Sequence, residues 1–393
     1  MKVPRVVIGM SGGVDSAVSA FLLKQKGFDV VGLHMVTHSR QRESEKKNIS
    51  QINWDSQEEG SSTCPRSKDE ADARNVCNRL NIPFHTVNFV KEYWNHVFLK
   101  FLENYKIGRT TVPDIDCNYS IKFDAFHKVA QETFDADFIA TGHYATTSFG
   151  DFQQNRKHSE AIRLFSGRDP LKDQTFFLCT VTQEQLKRAM FPLGSLQKSE
   201  VKRIAEQQGF HRVVKKPESM GICFIGKKKR FSDFLDEYIE PKPGRIVLKD
   251  GKQIGKHHGI HQFTIGKRIH GKYLNERSHF GFFVSEIRSD TGDVVACNGS
   301  HHSDLYATRF LINRPNWIPS SDPLEEISPS KILCRIQRTH PPVPCKVEKS
   351  EHYLSVEPKI PLRATSPGQM CVFYTTENEC LGGGEIFKIE KTL

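Results

Sequence analysis

Val6-Val7-Ile8-Gly9-Met10-Ser11-Gly12-Gly13-Val14-Asp15-Ser16 is an apolar run that ends in a glycine-rich turn and passes straight into a helical pattern. Ala17, Val18, Phe21 and Leu22 recur at helical spacing, and Gly27 supplies a stop. A strand, a glycine turn and a helix N-terminus together make an anion site. The glycines let backbone N–H groups converge, and the helix dipole favours negative charge there. Ser11 and Ser16 add hydroxyls, while Asp15 suits a hydrated Mg²⁺ better than a bare phosphate. No lysine follows the glycines, which excludes the G-x-x-x-x-G-K-[ST] loop of ordinary nucleoside triphosphatases. A solvent turn that happens to hold two glycines is the ordinary alternative, and the strand–turn–helix context argues against it.

Outward from this turn the same alternation continues. Val30 to Leu33 and Phe84 to Phe89 read as strands, and Asp137 to Thr141 as another. Between them, Asp72 to Leu80, the stripe Trp94-Val97-Phe98-Phe101-Leu102-Tyr105 and the stripe Phe123-Phe126-Ala130-Phe134 read as helices. This order predicts an α/β fold with a doubly wound parallel sheet, whose ligands sit beyond the carboxyl ends of the strands. Residues 37–52 are polar and charged without a clear period and read as a mobile surface loop. After the basic run Lys227–Arg230, a short amphipathic helix and Pro241-Lys242-Pro243-Gly244, the remainder reads as short β runs. Lys249-Asp250-Gly251, Asp290-Thr291-Gly292 and Gly382-Gly383-Gly384 mark the turns. A break near 300–308 separates a small, mainly β middle domain from a C-terminal β-barrel, giving expected domains 1–225, 226–303 and 304–393.

A chain of 393 residues is long enough for two or three domains with a well-buried core. Its 37% hydrophobic and 26% charged residues are those of a globular protein, and no apolar run approaches the roughly 20 residues that span a bilayer, so no membrane partner is expected. Fifty-six basic against 46 acidic residues give a net charge of +10, which favours a polyanionic partner. The ten cysteines contain no Cys-x-x-Cys pair, so neither a zinc ribbon nor a thioredoxin-type site is indicated, and no protein metal site is expected. Most should be buried thiols. Cys117 lies in Pro113-Asp114-Ile115-Asp116-Cys117-Asn118, just before a helix and near Lys122, where a thiol ionises more easily. Cys223 closes the first domain in Gly221-Ile222-Cys223-Phe224-Ile225-Gly226.

Taken together these motifs carry a resemblance. Ser11-Gly-Gly-Val-Asp-Ser16 resembles the pyrophosphate loop of the ATP-pyrophosphatase superfamily. With Asn53-Trp54-Asp55, Pro113-Asp114-x-x-Cys117-Asn118, Thr141-Gly142-His143-Tyr144-Ala145, Lys172-Asp173-Gln174-Thr175, Glu218 to Gly226, Phe263 to Arg268 and Pro367-Gly368-Gln369, nearly the whole chain resembles the tRNA-specific 2-thiouridylases. Residues Lys91 to Asn95 and Lys216 to Met220 look nearest to the mitochondrial enzymes of animals. The resemblance implies ATP, with Mg²⁺, at Gly9, Met10, Ser11, Gly12, Gly13, Val14, Asp15, Ser16, Met35 and Gly142. It implies a persulfide on Cys223, nucleophilic release of its sulfur by Cys117, a disulfide between the two afterwards, and Asp114 as acid or base. It implies tRNA contacts at Val112, Pro113, Asp114, His143, Lys172, Asp173, Gln174, Arg335, Ile336 and Gln369. A persulfide donor, tRNAs reading Lys, Glu and Gln codons and a mitochondrial location follow from the same resemblance, although Met1 to Arg5 enter the first strand without an Arg- and Ser-rich leader.

Three departures stand against it: Val112 where the family usually has Asn, the 37–52 segment, and Arg335-Ile336-Gln337-Arg338 in place of an alternating Arg pattern. Two other classes fit parts of the chain, an adenylating enzyme acting on a small molecule and an RNA-binding relative without activity. The first needs neither two reactive cysteines nor a basic β tail, and the second has no need of Ser11, Asp15, Ser16, Cys117 and Cys223 together.

Overall fold

A computed structural model describes residues 3–37, 65–156, 160–217 and 230–393. Asn53-Trp54-Asp55, almost all of the 37–52 segment, Cys64 and the Cys223 motif lie outside the described residues.

The N-terminal sheet runs β3-β2-β1-β4-β7, all parallel: β1 (Arg5–Gly9), β2 (Asp29–Val36), β3 (Phe84–Asn88), β4 (Phe138–Ala140) and β7 (Ala189–Met190). Val6, Val7 and Ile8 are wholly buried, as a central strand covered on both faces requires. The order reverses direction between β1 and β4, so the turn after β1 and the loop after β4 open a crevice at the carboxyl edge. Helix α1 (Val14–Gln25) buries Val14, Ala17, Val18 and Leu23 and stops at Gly27, which sits at φ +86°. Helix α2 (Pro65–Leu80) packs on α1. Val90–Tyr93, Trp94–Phe98 and Leu99–Lys106 run on as one helix, α3, with a π-type middle. Its aromatic stripe enters the main core.

The next helix, α4, is built in the same way from Pro113–Cys117, Asn118–Ala125 (again π-type) and Phe126–Phe134. Cys117 therefore does not precede the helix, as its sequence suggested, but closes its first turn. Pro113 occupies the first helical position, where its fixed φ and missing N–H cost nothing, and this starts the helix one turn early. Helices α5 (Lys198–Gln207) and α6 (His211–Val214) complete the layer against α1.

The middle domain is a four-stranded sheet, β10-β11-β8-β9: β8 (Gly244–Leu248), β9 (Gln253–His257), β10 (Phe282–Arg288) and β11 (Asp293–Asn298). It encloses its own core of Ile246, Ile254, Phe282, Val284, Val294 and Ala296. The C-terminal part is a closed barrel of six strands. Its ring is β12 (Tyr306–Asn313), β16 (Tyr353–Pro358), β15 (Val343–Lys349), β14 (Ile332–Arg335), β18 (Met370–Thr375) and β19 (Glu379–Thr392), with β19 returning to β12. Closure removes the open edges that an isolated sheet would expose.

One turn signal fails. Gly382-Gly383-Gly384 lies inside β19, not between strands. A side chain at Gly382 would strike the Asn316 carbonyl, and one at Gly384 the Asn313 carbonyl. The three glycines let β19 bend past the end of β12 at the barrel corner, the other use of glycine in a strand. The barrel sheet also continues beyond the barrel. β19 pairs with β6 (Leu164–Ser166), which pairs with β5 (Ala145–Thr147), both from the N-terminal part of the chain.

Candidate active site

The turn after β1 wraps the N-terminus of α1. Gly12 stands at φ +74°, and its missing side chain is filled by the Asp69 backbone of α2. The Ser16 hydroxyl donates to the Gly13 carbonyl (3.1 Å) and lies 3.2 Å from the Ser11 hydroxyl. The Gly13 N–H donates to Ser11 Oγ (3.3 Å). This cradle is closed by neighbours that allow no bulk. A Cβ on Gly142 would stand 3.0 Å from the Asp15 carbonyl carbon and the Ser16 nitrogen, and one on Gly9 would stand 3.3 Å from the Met35 methyl group. Gly9 with Met35, and Gly142 with the Ser11–Ser16 turn, are thus packed close together from segments far apart in sequence, with Met10 and Val14 buried.

The cations missing from the loop's own sequence come from elsewhere. Lys198, the first residue of α5, places Nζ 2.7 Å from both oxygens of Asp15, and the Tyr144 hydroxyl donates to the same carboxylate (2.8 Å). Lys216 donates to the Gly12 carbonyl (2.9 Å) and pairs with Asp69 (2.8 Å) and Asp72 (2.5 Å). None of Tyr144, Lys198 and Lys216 was assigned to the site from sequence. A lysine at a helix start and one in a Lys-Lys-Pro stretch give no local signal, and Tyr144 was legible only as part of Thr141 to Ala145.

Helix α4 reaches this cradle through its middle. The Phe126 ring lies against Gly9, the Phe123 ring is 6.0 Å from the His143 ring, and Asn118 donates to the Phe177 carbonyl (2.8 Å). The first turn of α4 presents Asp114 and Cys117, both partly buried. Desolvation raises the Asp114 pKa, with the nearby Lys122 charge acting in the other direction. Lys122 also faces His143, whose buried imidazole is held well below its ordinary value by desolvation first and by that charge second. His143 is thus neutral, with Nδ1 2.8 Å from the Thr141 hydroxyl.

The barrel supplies the outer wall. The Thr110 N–H donates to the Pro367 carbonyl (2.9 Å), and Gly368, at φ +92°, lies against Arg109 and Thr110. Arg109 also pairs with Glu385 of β19 (3.2 Å). The structure thus brings Gln369 alongside the segment leading into Val112, Pro113 and Asp114. The other barrel residues are placed differently. Arg335 and Asp173 form a buried ion pair (2.8 Å), with 6% and 3% of their side chains exposed, and Ile336 lies in the barrel core. In this pairing the two charges meet each other rather than the surface. Gln174 exchanges two hydrogen bonds with the Tyr144 backbone (3.0 and 3.1 Å), and Lys172 is partly exposed. Among the described residues no cluster of three or more His, Cys, Asp or Glu could hold a metal ion.

Comparison with known proteins places this geometry. Residues 4–227 match the tRNA methyl transferase HUP domain, 232–298 the tRNA methyl transferase PRC-barrel domain and 307–386 the aminomethyltransferase β-barrel domain. An enzyme of Caenorhabditis elegans named as a mitochondrial tRNA-specific 2-thiouridylase 1 is 77% identical over 99% of this chain and all of its own. The chain belongs to the tRNA-specific 2-thiouridylase family. The mitochondrial 2-thiouridylase 1 of Drosophila melanogaster is 40% identical over 97% of this chain and 93% of its own. The tRNA-specific 2-thiouridylase MnmA of Vibrio parahaemolyticus is 39% identical over 97% and 96%. The domain names speak of methyl transfer, whereas these 2-thiouridylases match from end to end, and the whole-chain match decides the family.

Proposed function

We propose that the protein is a tRNA-uridine 2-sulfurtransferase that uses ATP. The observation that carries this is a pyrophosphate-type cradle packed against helix α4 at Phe126, the same helix whose first turn carries Asp114 and Cys117. A uridine carbonyl is a poor electrophile and oxide a poor leaving group. ATP bound along Gly9–Ser16, with Met35 and Gly142, adenylates the oxygen at carbon 2, so that AMP departs in its place. Mg²⁺ bound with ATP offsets the charge on the departing pyrophosphate. Asp114, held toward its protonated form, can give or take the proton at the target base.

Sulfur arrives as a persulfide on Cys223. The Cys117 thiolate attacks the inner sulfur, the S–S bond of the persulfide breaks, and hydrosulfide leaves to attack carbon 2. This forms a Cys117–Cys223 disulfide, which an external thiol reduces before the next turnover. Alternatively the persulfide's outer sulfur attacks carbon 2 and AMP departs, and the Cys117 thiolate then attacks Cys223 Sγ, breaking the S–S bond to leave the thiolated base and the same Cys117–Cys223 disulfide. The wobble base fits this chemistry because an anticodon-loop base is splayed out without melting a duplex. Val112, Pro113, His143, Lys172, Gln174 and Gln369 are proposed to meet the tRNA, and Asp173, Arg335 and Ile336 to shape the surface that does so. Relatives named as mitochondrial support a mitochondrial location; a cysteine-persulfide donor and tRNAs reading Lys, Glu and Gln codons are proposed with it from the motif resemblance alone. No helix among the described residues is long and apolar enough to cross a membrane.

The test is thiolation of unmodified tRNA by purified protein with ATP, Mg²⁺ and a sulfur donor of confirmed competence, read by retardation of the tRNA in a mercury gel and by AMP release. An ATP-dependent retarded band is expected. AMP release without thiolation would point to a different adenylated substrate, and neither signal would leave only RNA binding.

A further inference from the structure

The loop 169–175 is held at both ends by groups of opposite purpose. At its inner end, Gln174 grips the Tyr144 backbone through two hydrogen bonds, and the Tyr144 hydroxyl holds Asp15. The carboxylate of Asp169 accepts from the Leu171 N–H (3.0 Å), the Lys172 N–H (3.2 Å) and the backbone N–H of Lys198 (2.9 Å), whose side chain holds the same Asp15. At its barrel end, Arg335 pairs with Asp173, Arg338 donates to the Leu171 carbonyl (2.8 Å), and the Thr175 and Tyr374 hydroxyls meet at 3.2 Å. Arg335 in turn donates to the Gln337 and Arg338 carbonyls, so the barrel turn and the loop form one body. The tip of the loop is Leu171, 79% exposed, beside Lys172.

We propose that this loop relays RNA engagement at the barrel junction to the ATP cradle, with Tyr144 and Lys198 as positioning residues for Asp15. The inference rests on the proposed function in taking RNA as the ligand of the outer face and ATP as the ligand of the cradle. An exposed apolar side chain next to a lysine suits a ribose or base face beside a phosphate. Displacing the tip moves Asp169 and Gln174 together, because the loop's own hydrogen bonds leave it little room to deform. Both partners of Asp15 then shift. A nucleotide bound at this turn would meet Asp15 in one arrangement of its partners, so RNA that favours that arrangement favours ATP, and by reciprocity ATP favours RNA.

The test is equilibrium binding of a non-hydrolysable ATP analogue to the full-length protein, without and with saturating unmodified anticodon stem-loop RNA. The stem-loop is expected to tighten analogue binding by about fivefold or more, and the analogue to tighten stem-loop binding by the same factor. In Asp169→Ala, at the inner end, and in Arg338→Ala, at the outer end, each ligand still binds but the coupling falls to within about twofold of none. Full coupling in both variants, or none in the unaltered protein, overturns the relay while leaving the proposed function standing. Failure of the unaltered protein to bind either ligand overturns the proposed function and the relay with it.

Discussion

A carboxyl group whose pKa is raised by burial costs stability once it ionises, and Asp114 is such a group. Its folded value lies above its unfolded one, so the unfolded chain binds fewer protons through that window and the native state loses stability as pH rises across it. Asp114→Asn should therefore raise the melting temperature at neutral pH, and the gain should shrink as pH falls toward the ordinary carboxylate range. The same change should lower thiolation by about 10²-fold or more if the group moves a proton. A variant neither more stable nor less active would remove Asp114 from the mechanism. Cys117→Ser and Cys223→Ser should each abolish thiolation while leaving ATP and tRNA affinity nearly intact, and full activity in either would eliminate the sulfur relay. The turn holding Gly12, Gly13 and Ser16 was legible because its geometry is local to a few residues. Lys198 was not, because its contact with Asp15 spans 183 residues and nothing around it marks it out.

Elements were legible where a single period ran unbroken. Strands β1 to β4 of the first sheet and the aromatic stripes of α3 and α4 carry their faces in sequence, while the two-residue β7 is too short to show a pattern and the π-type turns within those helices leave no trace in composition. Gly382-Gly383-Gly384 misled because glycine serves both turns and close crossings, and only the neighbouring Asn313 and Asn316 carbonyls tell them apart. The turn after β1 makes its own demand. Gly12→Ala would force a side chain into a left-handed backbone, a cost of roughly 1–2 kcal/mol by itself, and would push it against the Asp69 backbone. Loss of nucleotide binding, with tRNA binding retained, is the expected result in titrations of the two ligands. Unchanged nucleotide affinity would mean that the turn is not the cradle.

At the scale of the whole molecule, the +10 charge and the domain order were legible, but the joint between the domains was not. Its central contact pairs Asp173 with Arg335 across 162 residues, and a resemblance assigned both to RNA contact. Asp173→Asn leaves the Arg335 guanidinium buried with its charge unmatched. Breaking such a pair costs about 3–5 kcal/mol, so a clear fall in melting temperature is expected, and an unaltered melting curve would show that the pair carries no such weight. Gln369 is placed differently. Its motif was read as an RNA contact, and the adjoining Gly368 lies against Arg109 and Thr110, ahead of Asp114.

The run of β19 onto β6 bears on how such a chain can be recombined. A barrel cut out at residue 304 would leave Glu379 and Cys380 without their neighbours Phe165 and Leu164, and would leave behind a two-stranded ribbon, β5 and β6, with a bare edge. Exposed edges of that kind recruit other chains. Chimaeras between relatives should therefore exchange residues 145–166 together with the barrel, and a swap made at the apparent boundary alone should yield protein that aggregates. In this protein the unit to exchange is the sheet rather than the stretch of sequence.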